Sequence, residues 1–551
     1  MTELPFLRMP PFPGQHDAIA KPSRQRTSLP GTIFDMLRNA KVGGEFWALP
    51  FEHDQLPGIL IRHRASDDLR SLAANIPEPE RKTVTWVGPV QSSALFKHAA
   101  GPAFGSVIHE ADPWSHLKRT RHLHVHGDDE WLAIARILRI SVRILSSGRF
   151  GKPGDDGEET DRRIHDVLAS ASYTNPFTGE PAEVAEIIAI LAHWRSLIDA
   201  NRGIAAACGI AWWKRSEIVR FLSVPGKRVR FLSGTDRALK LARQAGGALA
   251  IWPSRVSPNL ISKSRQNGIQ LHRIEDGFVR SVGLGSNLVP PSSVVVDRRG
   301  IYFDPSAPSD LEVCLATTDF GPELMRRAEA LRQTVVSAGI SKYAAGTGTL
   351  PPTRQSGRRL VLVPAQVEDD LSVLAGGGGL HSNLSLLQRV REIEPDAEIW
   401  FRPHPDVDQG HRKGAVPDAI AMHYADRIVR GGGIATLLDA VDAVHVLTSL
   451  TGFEALLRRR EVICHGTPFY AGWGLTQDLG LVPDRRGRKL SLDQLVAGVL
   501  ILYPRYLDPV TGLPCPPEVL ISRMAEARAP NRLGWLGPLR RWQGSVAKRF
   551  R

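Results

Sequence analysis

The sequence predicts an α/β fold built from two lobes with Rossmann-type sheets, and two observations lead to that class. From about residue 200 to residue 520, short apolar runs of strand type alternate with helical stretches, as in parallel-sheet α/β domains. Acidic, hydroxyl and imidazole side chains follow several of these runs, at the strand ends where open α/β sheets bind ligands. We therefore expect two such lobes to face one cleft that these side chains line.

Composition limits the classes of protein to which the chain can belong. Its 551 residues suggest about three domains, and 42% hydrophobic with 23% charged residues is typical of a globular protein. The sequence contains no apolar run of about 18 residues, and its N-terminus lacks the basic start and apolar core of a secretory signal. Four cysteines without close pairing favour a reducing, cytoplasmic setting.

The charge balance favours an anionic partner. A net charge of +13 suits a nucleotide sugar or an acidic membrane surface. The sequence shows no nucleic-acid-binding module and no basic recognition helix, so nucleic acid is not an expected partner. Residues 527–551 contain no acid and mix arginine and lysine with tryptophan and phenylalanine. This tail suits either a lipid headgroup interface or a disordered, solubilising segment.

Apolar runs place the main elements of the two lobes. Strands are predicted at 248–253, 269–274, 359–366, 397–403, 443–449 and 461–466, helices at 383–395 and 451–460, and a hairpin at 292–305 that turns at Arg299 and Gly300. The polar stretch 337–359 is rich in glycine and proline and indicates a linker between two α/β units.

An internal repeat indicates a partial duplication. "YTNPFTGEPAEVAE" at 173–186 echoes "YLDPVTGLPCPPEV" at 506–519, with Tyr, Pro, Thr, Gly and Pro at the same spacing. A fainter echo links "HVHGDDEWLAIARILRISVRI", from His124, with "VHVLTSLTGFEALLRRREVIC". The earlier copy has no counterpart of the acid pair, of the His-Pro motif or of Glu454 described below.

Five segments follow from these patterns. They are a disordered tail at 1–30, a degenerate copy of the later α/β module at 31–204, a first lobe at 205–350, a second lobe at 351–526, and the basic aromatic tail at 527–551.

The stretch "RIEDGFVRS" carries an acid pair, Glu275 and Asp276, at the C-terminal end of a predicted strand. This position favours a role in the cleft. An exposed turn in which Arg280 pairs with an acid is the alternative. The "GLGS" that follows lacks the third glycine and the helix start of a dinucleotide fingerprint.

The stretch "VPAQVEDDLS" ends a second strand at Gln366 and continues into Asp369 and Asp370. Carboxylates at this strand end could act as a nucleophile or a base or bind a metal. They could equally stabilise the positive end of the helix that follows. The spacing does not decide between the two aspartates.

The stretch "FRPHPDVDQGHRKG" holds His404 between two prolines, just past a strand and close to Arg402. An imidazole fixed among cations suits phosphate binding or protonation of a phosphate leaving group. A histidine packed in a loop is one alternative. A metal site is another, and its ligands would be His404, Asp406, Asp408 and His411.

The stretch "VHVLTSLTGFEALL" ends a strand at Thr448 and Ser449 and then begins a helix that contains Glu454. Hydroxyls and free backbone N–H groups at a helix start bind phosphate, and a carboxylate there can accept from ribose hydroxyls. A capped helix explains the same residue types. The three histidines of "HLHVH", at 122, 124 and 126, lack a fourth zinc ligand.

Five of these motifs, in this order, resemble the capsule polysaccharide proteins of the KpsC/LipB type, which are bacterial retaining β-Kdo glycosyltransferases. They are "RIEDGFVRS", "PAQVEDDLS", "RPHPDV", "LTSLTGFEALL" and "PFYAGWGLT", and the resemblance spans residues 205–525. It implies a GT-B-like fold and transfer of Kdo (3-deoxy-D-manno-oct-2-ulosonic acid) from CMP-β-Kdo with retention of configuration and without a metal. It also implies a role in building the poly-Kdo linker on phosphatidylglycerol, to which capsule chains are attached for export.

The resemblance implies a role for each site residue. Asp370 is the expected nucleophile, and Glu275 and Asp276 are expected to serve the acceptor hydroxyl or the acid/base step. His404 and Ser449 are expected to contact the CMP phosphate and Glu454 the ribose. Gln366, Thr448 and Arg402 complete the expected nucleotide-binding set.

The implied partners are CMP-Kdo, a Kdo-terminated phosphatidylglycerol acceptor, the anionic inner face of the cytoplasmic membrane and other capsule-assembly proteins. Family members carry two transferase modules in tandem, so a degenerate first copy implies a single linkage type here. Transfer of another CMP-activated ulosonate, such as a sialic-acid-like sugar, is an alternative, and so is an inactive capsule-assembly scaffold.

Overall fold

A computed structural model of the chain describes residues 4–14, 18–50, 58–74, 76, 77, 80, 81, 84–88, 106–109, 111–118, 120–280, 289–341, 353, 354, 357–410 and 412–526. The chain divides into two compact units. Unit one comprises residues 1–202 with 222–228, and unit two comprises residues 203–221 with 229–551. Among the described residues, no helix combines the length and the apolar character that crossing a bilayer requires.

Unit one is built around a five-stranded parallel sheet. Its elements are β1 (Ala20–Pro22), α1 (Ile33–Ala40), β2 (Ile59–Arg62), α2 (Leu69–Ala74), β3 (Val84–Gly88), β4 (Ser106–His109), α3 (Pro113–Leu117), β5 (His122–Val125), α4 (Glu130–Ile137), β6 (Ser141–Ile144), α5 (Gly157–Ala169), β7 (Ala171–Tyr173) and α6 (Val184–Asn201). The strand order in the sheet is β4-β3-β2-β5-β6. β1 pairs separately with β7 in antiparallel register.

The expected disorder of residues 1–30 is wrong for the described part of that segment. Phe6, Leu7 and Phe12 are buried, and the ring of Phe12 packs edge-on against Trp194 at 5.3 Å. β1 adds backbone hydrogen bonds to β7. Burial of these apolar side chains offsets the entropy of ordering a proline-rich segment.

The first lobe of unit two carries a mixed sheet. Its elements are β8 (Ile204–Cys208), α7 (Arg215–Phe221), β9 (Phe231–Leu232), α8 (Thr235–Gln244), β10 (Ala248–Ile251), α9 (Pro258–Gln266), β11 (Leu271–Asp276), β12 (Ser293–Asp297), α10 (Asp310–Thr317) and α11 (Pro322–Ser337). β9, β8, β10 and β11 lie side by side in parallel, so their carboxyl ends share one edge. β12 joins β11 in antiparallel register.

The second lobe of unit two carries a six-stranded parallel sheet. Its elements are β13 (Leu360–Pro364), α12 (Leu371–Gly376), α13 (Asn383–Ile393), β14 (Glu398–Arg402), α14 (Pro405–Asp408), α15 (Asp418–Ala421), β15 (Arg427–Ile428), α16 (Ile434–Ala440), β16 (Ala443–Val446), α17 (Leu450–Leu457), β17 (Glu461–Cys464) and β18 (Gln477–Asp478). The strand order is β15-β14-β13-β16-β17-β18. Every residue of β13 is buried, as expected for a central strand covered on both faces.

The chain then returns to the first lobe. After α18 (Leu492–Val496) and a π-helical turn at 497–502 come β19 (Pro504–Leu507), β20 (Pro514–Cys515) and α19 (Pro517–Ala525). β19 pairs with β12, so residues 504–515 extend the first-lobe sheet although the sequence assigns them to the second lobe. The other sequence-predicted segment boundaries stay predictions. Most of the expected linker at 337–359 lies outside the described residues.

The predicted strands and helices of the two lobes are confirmed. Five of the six strands are two or three residues shorter than predicted, and the strand predicted at 269–274 instead spans Leu271–Asp276 and so includes the acid pair. The predicted hairpin at 292–305 is wrong, because only 293–297 form a strand. The buried carboxylate of Asp297 accepts the backbone N–H groups of Arg299, Gly300 and Asp310, which turns the chain out of the sheet.

The repeated segments adopt the same turn in both units. Asn175 and Asp508 each accept backbone N–H groups from the residues two and three positions later. Gly179 and Gly512 close these turns with φ of 77° and 72°. The five strands of the unit-one sheet also follow the same order as the first five strands of the second-lobe sheet, counted along each segment of chain, and the second-lobe sheet adds β18 as a sixth.

A buried ion pair joins the two lobes of unit two. Glu312 in α10 accepts from the guanidinium groups of Arg485 and Arg486, and the Arg486 Nε–Oε1 distance is 2.5 Å. Arg486 also donates to the backbone carbonyls of Pro468 at 2.7 Å and Ala471 at 3.1 Å. Burial lowers the pKa of Arg486, and the charge of Glu312 opposes that shift. The pair therefore fixes residues 468–471 against the first lobe.

We predict that Glu312→Gln lowers the free energy of unfolding by about 3–5 kcal/mol, because it leaves a buried arginine without its carboxylate. Urea unfolding followed by tryptophan fluorescence measures the change. Glu518→Gln is the matched control, since it breaks the exposed Arg327–Glu518 pair and should cost at most about 1 kcal/mol. Equal losses of unfolding free energy in the two variants would show that the buried pair contributes no more to stability than the exposed pair.

Candidate functional site

The acid pair lies at the C-terminal end of β11. Asp276 accepts from Lys214 Nζ at 3.0 Å through one carboxylate oxygen and from Arg280 Nε at 2.7 Å through the other. Arg280 is fully buried and also donates to the carbonyl of Val289. Burial lowers the pKa of Lys214, and its ammonium lies 3.4 Å from the ring centre of Trp252. The carboxylate of Asp276 is thus held in place by two cations.

Glu275 differs from its neighbour in its contacts. Its Oε1 accepts the backbone N–H of Asp276 at 3.0 Å. Successive strand residues point to opposite faces of a sheet, so the two acids do not act as one paired carboxylate. The alternative of a local Arg280 partner is realised for Asp276.

The turn after the acid pair depends on a glycine. A Cβ on Gly277 would lie 2.2 Å from Ser293 Oγ, so any larger residue would push β11 away from β12. Phe278 then packs against Tyr302 and against Phe469 of the second lobe, with ring centroids 4.8 and 4.7 Å apart. This aromatic contact links the acid pair to the segment that Arg486 holds.

Gln366 and Thr448 contact each other directly at the edge of the second-lobe sheet. Gln366 Oε1 accepts the backbone N–H of Thr448 at 2.8 Å, and its Nε2 donates to Thr448 Oγ1 at 3.0 Å. Asn383 completes the arrangement by bonding both the N–H and the carbonyl of Gln366. These bonds fix the ends of β13 and β16 side by side.

Asp370 is the N-cap of α12. Its Oδ1 accepts the N–H of Ser372 at 3.0 Å and the Ser372 hydroxyl at 2.7 Å, while Oδ2 has no hydrogen-bond partner among the described residues. Asp369 instead pairs with Arg412 at 3.0 Å in an exposed position. The helix-start role is therefore realised for Asp370, and it still leaves one carboxylate oxygen available.

His404 caps the short helix α14 after β14. Its Nδ1 accepts the N–H of Asp406 at 3.2 Å, so the proton of the neutral ring lies on Nε2. Nε2 can therefore donate to a ligand. Arg402 is used differently, because its guanidinium donates to the carbonyls of Gly431 and Gly432 at 2.7 and 2.8 Å. Burial lowers the pKa of Arg402.

Ser449 is the N-cap of α17. Its Oγ accepts the N–H of Thr451 at 3.2 Å, and its carbonyl accepts the hydroxyl of Tyr470. Gly452 permits this contact, because a Cβ there would lie 2.2 Å from the Tyr470 hydroxyl. Glu454 is the fifth residue of the helix and is 8% exposed.

The structure brings the predicted second-lobe residues to one edge. Gln366 and Asp370 follow β13, Arg402 and His404 end or follow β14, and Thr448 and Ser449 follow β16. The three strands are parallel neighbours in the sheet. Within the described ranges, no group of three His, Cys, Asp or Glu side chains is arranged as metal ligands, and His411 lies outside those ranges.

Sequence reasoning missed two sets of residues. Lys214 binds Asp276 of the site, and Glu312 binds Arg486, which holds residues 468–471. Each contact joins residues far apart in the sequence, so no local pattern predicts it. An Asp-Asp-Leu-x-x-Leu-Ala pattern at 67–73 matches the one at 369–375 and would have been detectable. In unit one, Ser71 Oγ donates to Asp68 at 2.6 Å, so Asp68 occupies the place of Asp370 at the start of α2.

Two Rossmann-type lobes define a glycosyltransferase-like α/β protein when the carboxyl edges of their sheets carry acidic side chains and groups suited to binding phosphate. Comparisons with known proteins agree with that class. A family model described as "Capsule polysaccharide biosynthesis protein" matches residues 247–345 and 347–506. The KpsC module described as a beta Kdo 2,4 transferase, from Thermosulfurimonas dismutans, is 31% identical with a TM-score of 0.50. This match covers 58% of the present chain and 98% of that module.

The chain is also similar in sequence to proteins that modify capsule polysaccharide or process lipopolysaccharide. The chain is 43% identical over 346 residues to the capsule polysaccharide modification protein LipA of Neisseria meningitidis, which is 62% of this chain and 48% of LipA. It is 40% identical over 311 residues to the lipopolysaccharide-processing protein LpsZ of Rhizobium meliloti, which is 54% of this chain and 69% of LpsZ.

The chain belongs to the family of capsule polysaccharide biosynthesis proteins of the KpsC/LipB type. It spans about half the length of the LipA proteins that it matches. The family resemblance inferred from the five motifs is thereby confirmed.

We predict that Gln366→Leu lowers the free energy of unfolding by about 1–3 kcal/mol, because it leaves the N–H and hydroxyl of Thr448 without their partner. Urea unfolding measures the effect. Gln333→Leu provides the control, since Gln333 bonds only Glu329 on an exposed helix face and should change stability by about 0.5 kcal/mol or less. A loss no larger than that of the control would contradict a structural role for the Gln366–Thr448 contact.

Proposed function

We propose that the chain is a retaining β-Kdo glycosyltransferase that uses CMP-β-Kdo and acts in building the Kdo linker of capsular polysaccharide. The observation that carries this proposal is Asp370, whose Oδ2 is available at the strand edge that also holds His404 and Ser449. The likeness to the KpsC beta Kdo 2,4 transferase module, which the chain matches over 98% of that module, supports the choice of sugar.

The proposed reaction has two displacements at the anomeric carbon of Kdo. In the first, an Asp370 carboxylate oxygen attacks as the bond to the CMP phosphate breaks, which gives a covalent Kdo–Asp370 ester. In the second, the acceptor hydroxyl attacks the same carbon and Asp370 leaves as a carboxylate. Two inversions retain the configuration.

Each further residue has a proposed part. Glu275 accepts the proton of the acceptor hydroxyl, and Asp276, held by Lys214 and Arg280, orients the end of β11 beside it. His404 donates from Nε2 to the departing phosphate oxygen.

Ser449 and the start of α17 bind the CMP phosphate, and Glu454 binds the ribose. Gln366 and Thr448 position these groups through their mutual hydrogen bonds, and Arg402 does so through the 431–432 loop. No metal takes part in the proposed step.

We predict that Asp370→Asn abolishes Kdo transfer, with a loss of at least about 10³-fold in kcat, because a carboxamide cannot form the ester. The assay incubates the full chain with CMP-Kdo and a synthetic Kdo-terminated acceptor, followed by linkage analysis. Asp68→Asn is the matched control, as it removes the equivalent aspartate of unit one and should leave transfer unchanged.

Three outcomes of that assay would contradict the proposal. Undiminished transfer by Asp370→Asn would exclude the nucleophile. Transfer from CMP-sialic acid but not from CMP-Kdo would support the other CMP-activated ulosonate. Absence of transfer by the unaltered chain with either donor would favour a capsule-assembly scaffold.

We also propose that the enzyme works at the anionic inner face of the cytoplasmic membrane, on a Kdo-terminated phosphatidylglycerol acceptor and beside other capsule-assembly proteins. The basic aromatic tail at 527–551, which lies outside the described residues, motivates this proposal through its composition. Deleting residues 531–551 should reduce cosedimentation with phosphatidylglycerol vesicles at least about tenfold at low salt. Unchanged binding would contradict it, and phosphatidylcholine vesicles provide the control surface.

A further inference from the structure

A cavity of about 280 Å³ opens at the carboxyl edge of the first-lobe sheet, where β8 and β9 end. It is lined by the turn after β8, which includes Gly209, and by residues at the starts of α8 and α9. Gly209 has φ of 74°, and a Cβ there would lie 2.8 Å from Val256. No residue of the predicted site lines this cavity.

The charge of the cavity is positive. Its ionisable lining residues are Arg215, Arg255 and Cys208, and no carboxylate is among them. Burial raises the pKa of Cys208 to about 11, so its thiol is uncharged at neutral pH. Neither arginine pairs with a carboxylate anywhere in the described part of the chain. Two guanidinium groups without a carboxylate partner in one concave site favour an anionic ligand.

The cavity also presents hydrogen-bond donors suited to an oxyanion. The hydroxyls of Thr235 and Ser257 lie 3.5 Å apart. The ten-residue helix α8 begins after Gly234, which has no side chain to cap the first-turn N–H groups. Arg215 is held over the ring of Phe231 at 5.2 Å, and its Nε contacts the carbonyl of Ile210. These contacts orient one guanidinium in advance of binding.

The cavity is connected to the acid pair through a short stretch of chain. Arg215 follows Lys214, whose ammonium binds Asp276 at 3.0 Å. Trp252, whose ring lies beneath that ammonium, directly follows β10. The carboxyl ends of β8, β10 and β11 are neighbours on one sheet edge. An anion in the cavity would therefore lie on the acceptor side of the proposed reaction.

We propose that this cavity binds the carboxylate of an acidic sugar, as a subsite for the acceptor. This inference rests on the proposed function for its place in the reaction, although the binding itself does not require transfer. The volume is at the small end of ligand pockets and suits one sugar residue better than a nucleotide. The two arginines and two hydroxyls bind the carboxylate, and Glu275 then lies on the side of the acceptor hydroxyl.

The test measures binding of the methyl glycoside of Kdo to the full chain by calorimetry, in the absence of CMP-Kdo. We expect Arg255→Gln to weaken binding about tenfold or more, because it removes a charged hydrogen-bond donor. Arg255 is exposed, so the variant should fold, and an unchanged melting temperature checks this. The control is Arg243→Gln, at the far end of α8, where the arginine bonds only Asn267. It should bind the glycoside like the unaltered chain.

Two further ligands identify the chemistry that is recognised. Methyl mannoside, which has no charge, should bind at least about tenfold more weakly than the Kdo glycoside. Preference for glycerol 3-phosphate over the sugar acid would overturn the carboxylate assignment. Equal binding of the glycoside by the Arg255→Gln and Arg243→Gln chains would overturn the site.

Steady-state kinetics separates this inference from the proposed function. In Arg255→Gln the KM for the acceptor should rise about tenfold while the KM for CMP-Kdo stays unchanged. A rise in the KM for CMP-Kdo alone would overturn the assignment to the acceptor. If the unaltered chain transfers no Kdo yet binds the glycoside through Arg255, the proposed function fails and the binding site stands.

Discussion

The buried ion pair between Glu312 and Arg486 is the interaction on which the two-lobed unit depends. A guanidinium with 3% of its side chain exposed must have its charge neutralised and its donors satisfied, or the pair would destabilise the fold. Glu312 supplies the charge and accepts from Nε, and the carbonyls of Pro468 and Ala471 accept from Nη1. Because both carbonyls belong to the distinctive "PFYAGWG" motif, one pair fixes that motif to the first lobe.

Placement of this motif in turn shapes both edges of the site. Phe469 contacts Phe278, the residue that follows the acid pair by two positions, with ring centroids 4.7 Å apart. Tyr470 donates to the carbonyl of Ser449, and burial raises the pKa of its hydroxyl well above the usual value, so it remains a donor. The start of α17 and the end of β11 are therefore positioned by adjacent aromatic residues. Distortion at Glu312 should reach both.

Local patterns of the sequence predict the strands and the acids at their ends, because burial on both faces demands continuous apolar runs and carboxyl ends gather polar groups. They fail where the deciding contact is distant along the chain. Lys214 binds Asp276 across 62 residues, and Arg486 reaches Glu312 across 174. The N-terminal segment looked disordered because its prolines and charges outweigh its few apolar residues. Phe6, Leu7 and Phe12 nevertheless become buried.

The two Asp-Asp-Leu loops show how similar backbones come to differ in chemistry. Unit two has a hydrogen-bonded contact between Gln366 and Thr448, and at the corresponding place unit one has an ion pair between Arg64 and Asp128. The N-cap of the helix that follows is Ser449 in unit two and Asp129 in unit one. Acids at that helix start repel a phosphate that hydroxyls and free N–H groups would bind. Asp67 is hydrogen-bonded to His126 Nε2 at 2.9 Å and accepts the backbone N–H of Arg64. Unit one therefore keeps the aspartate that corresponds to Asp370 while its neighbours bond one another, and a nucleotide would have to break those contacts to bind.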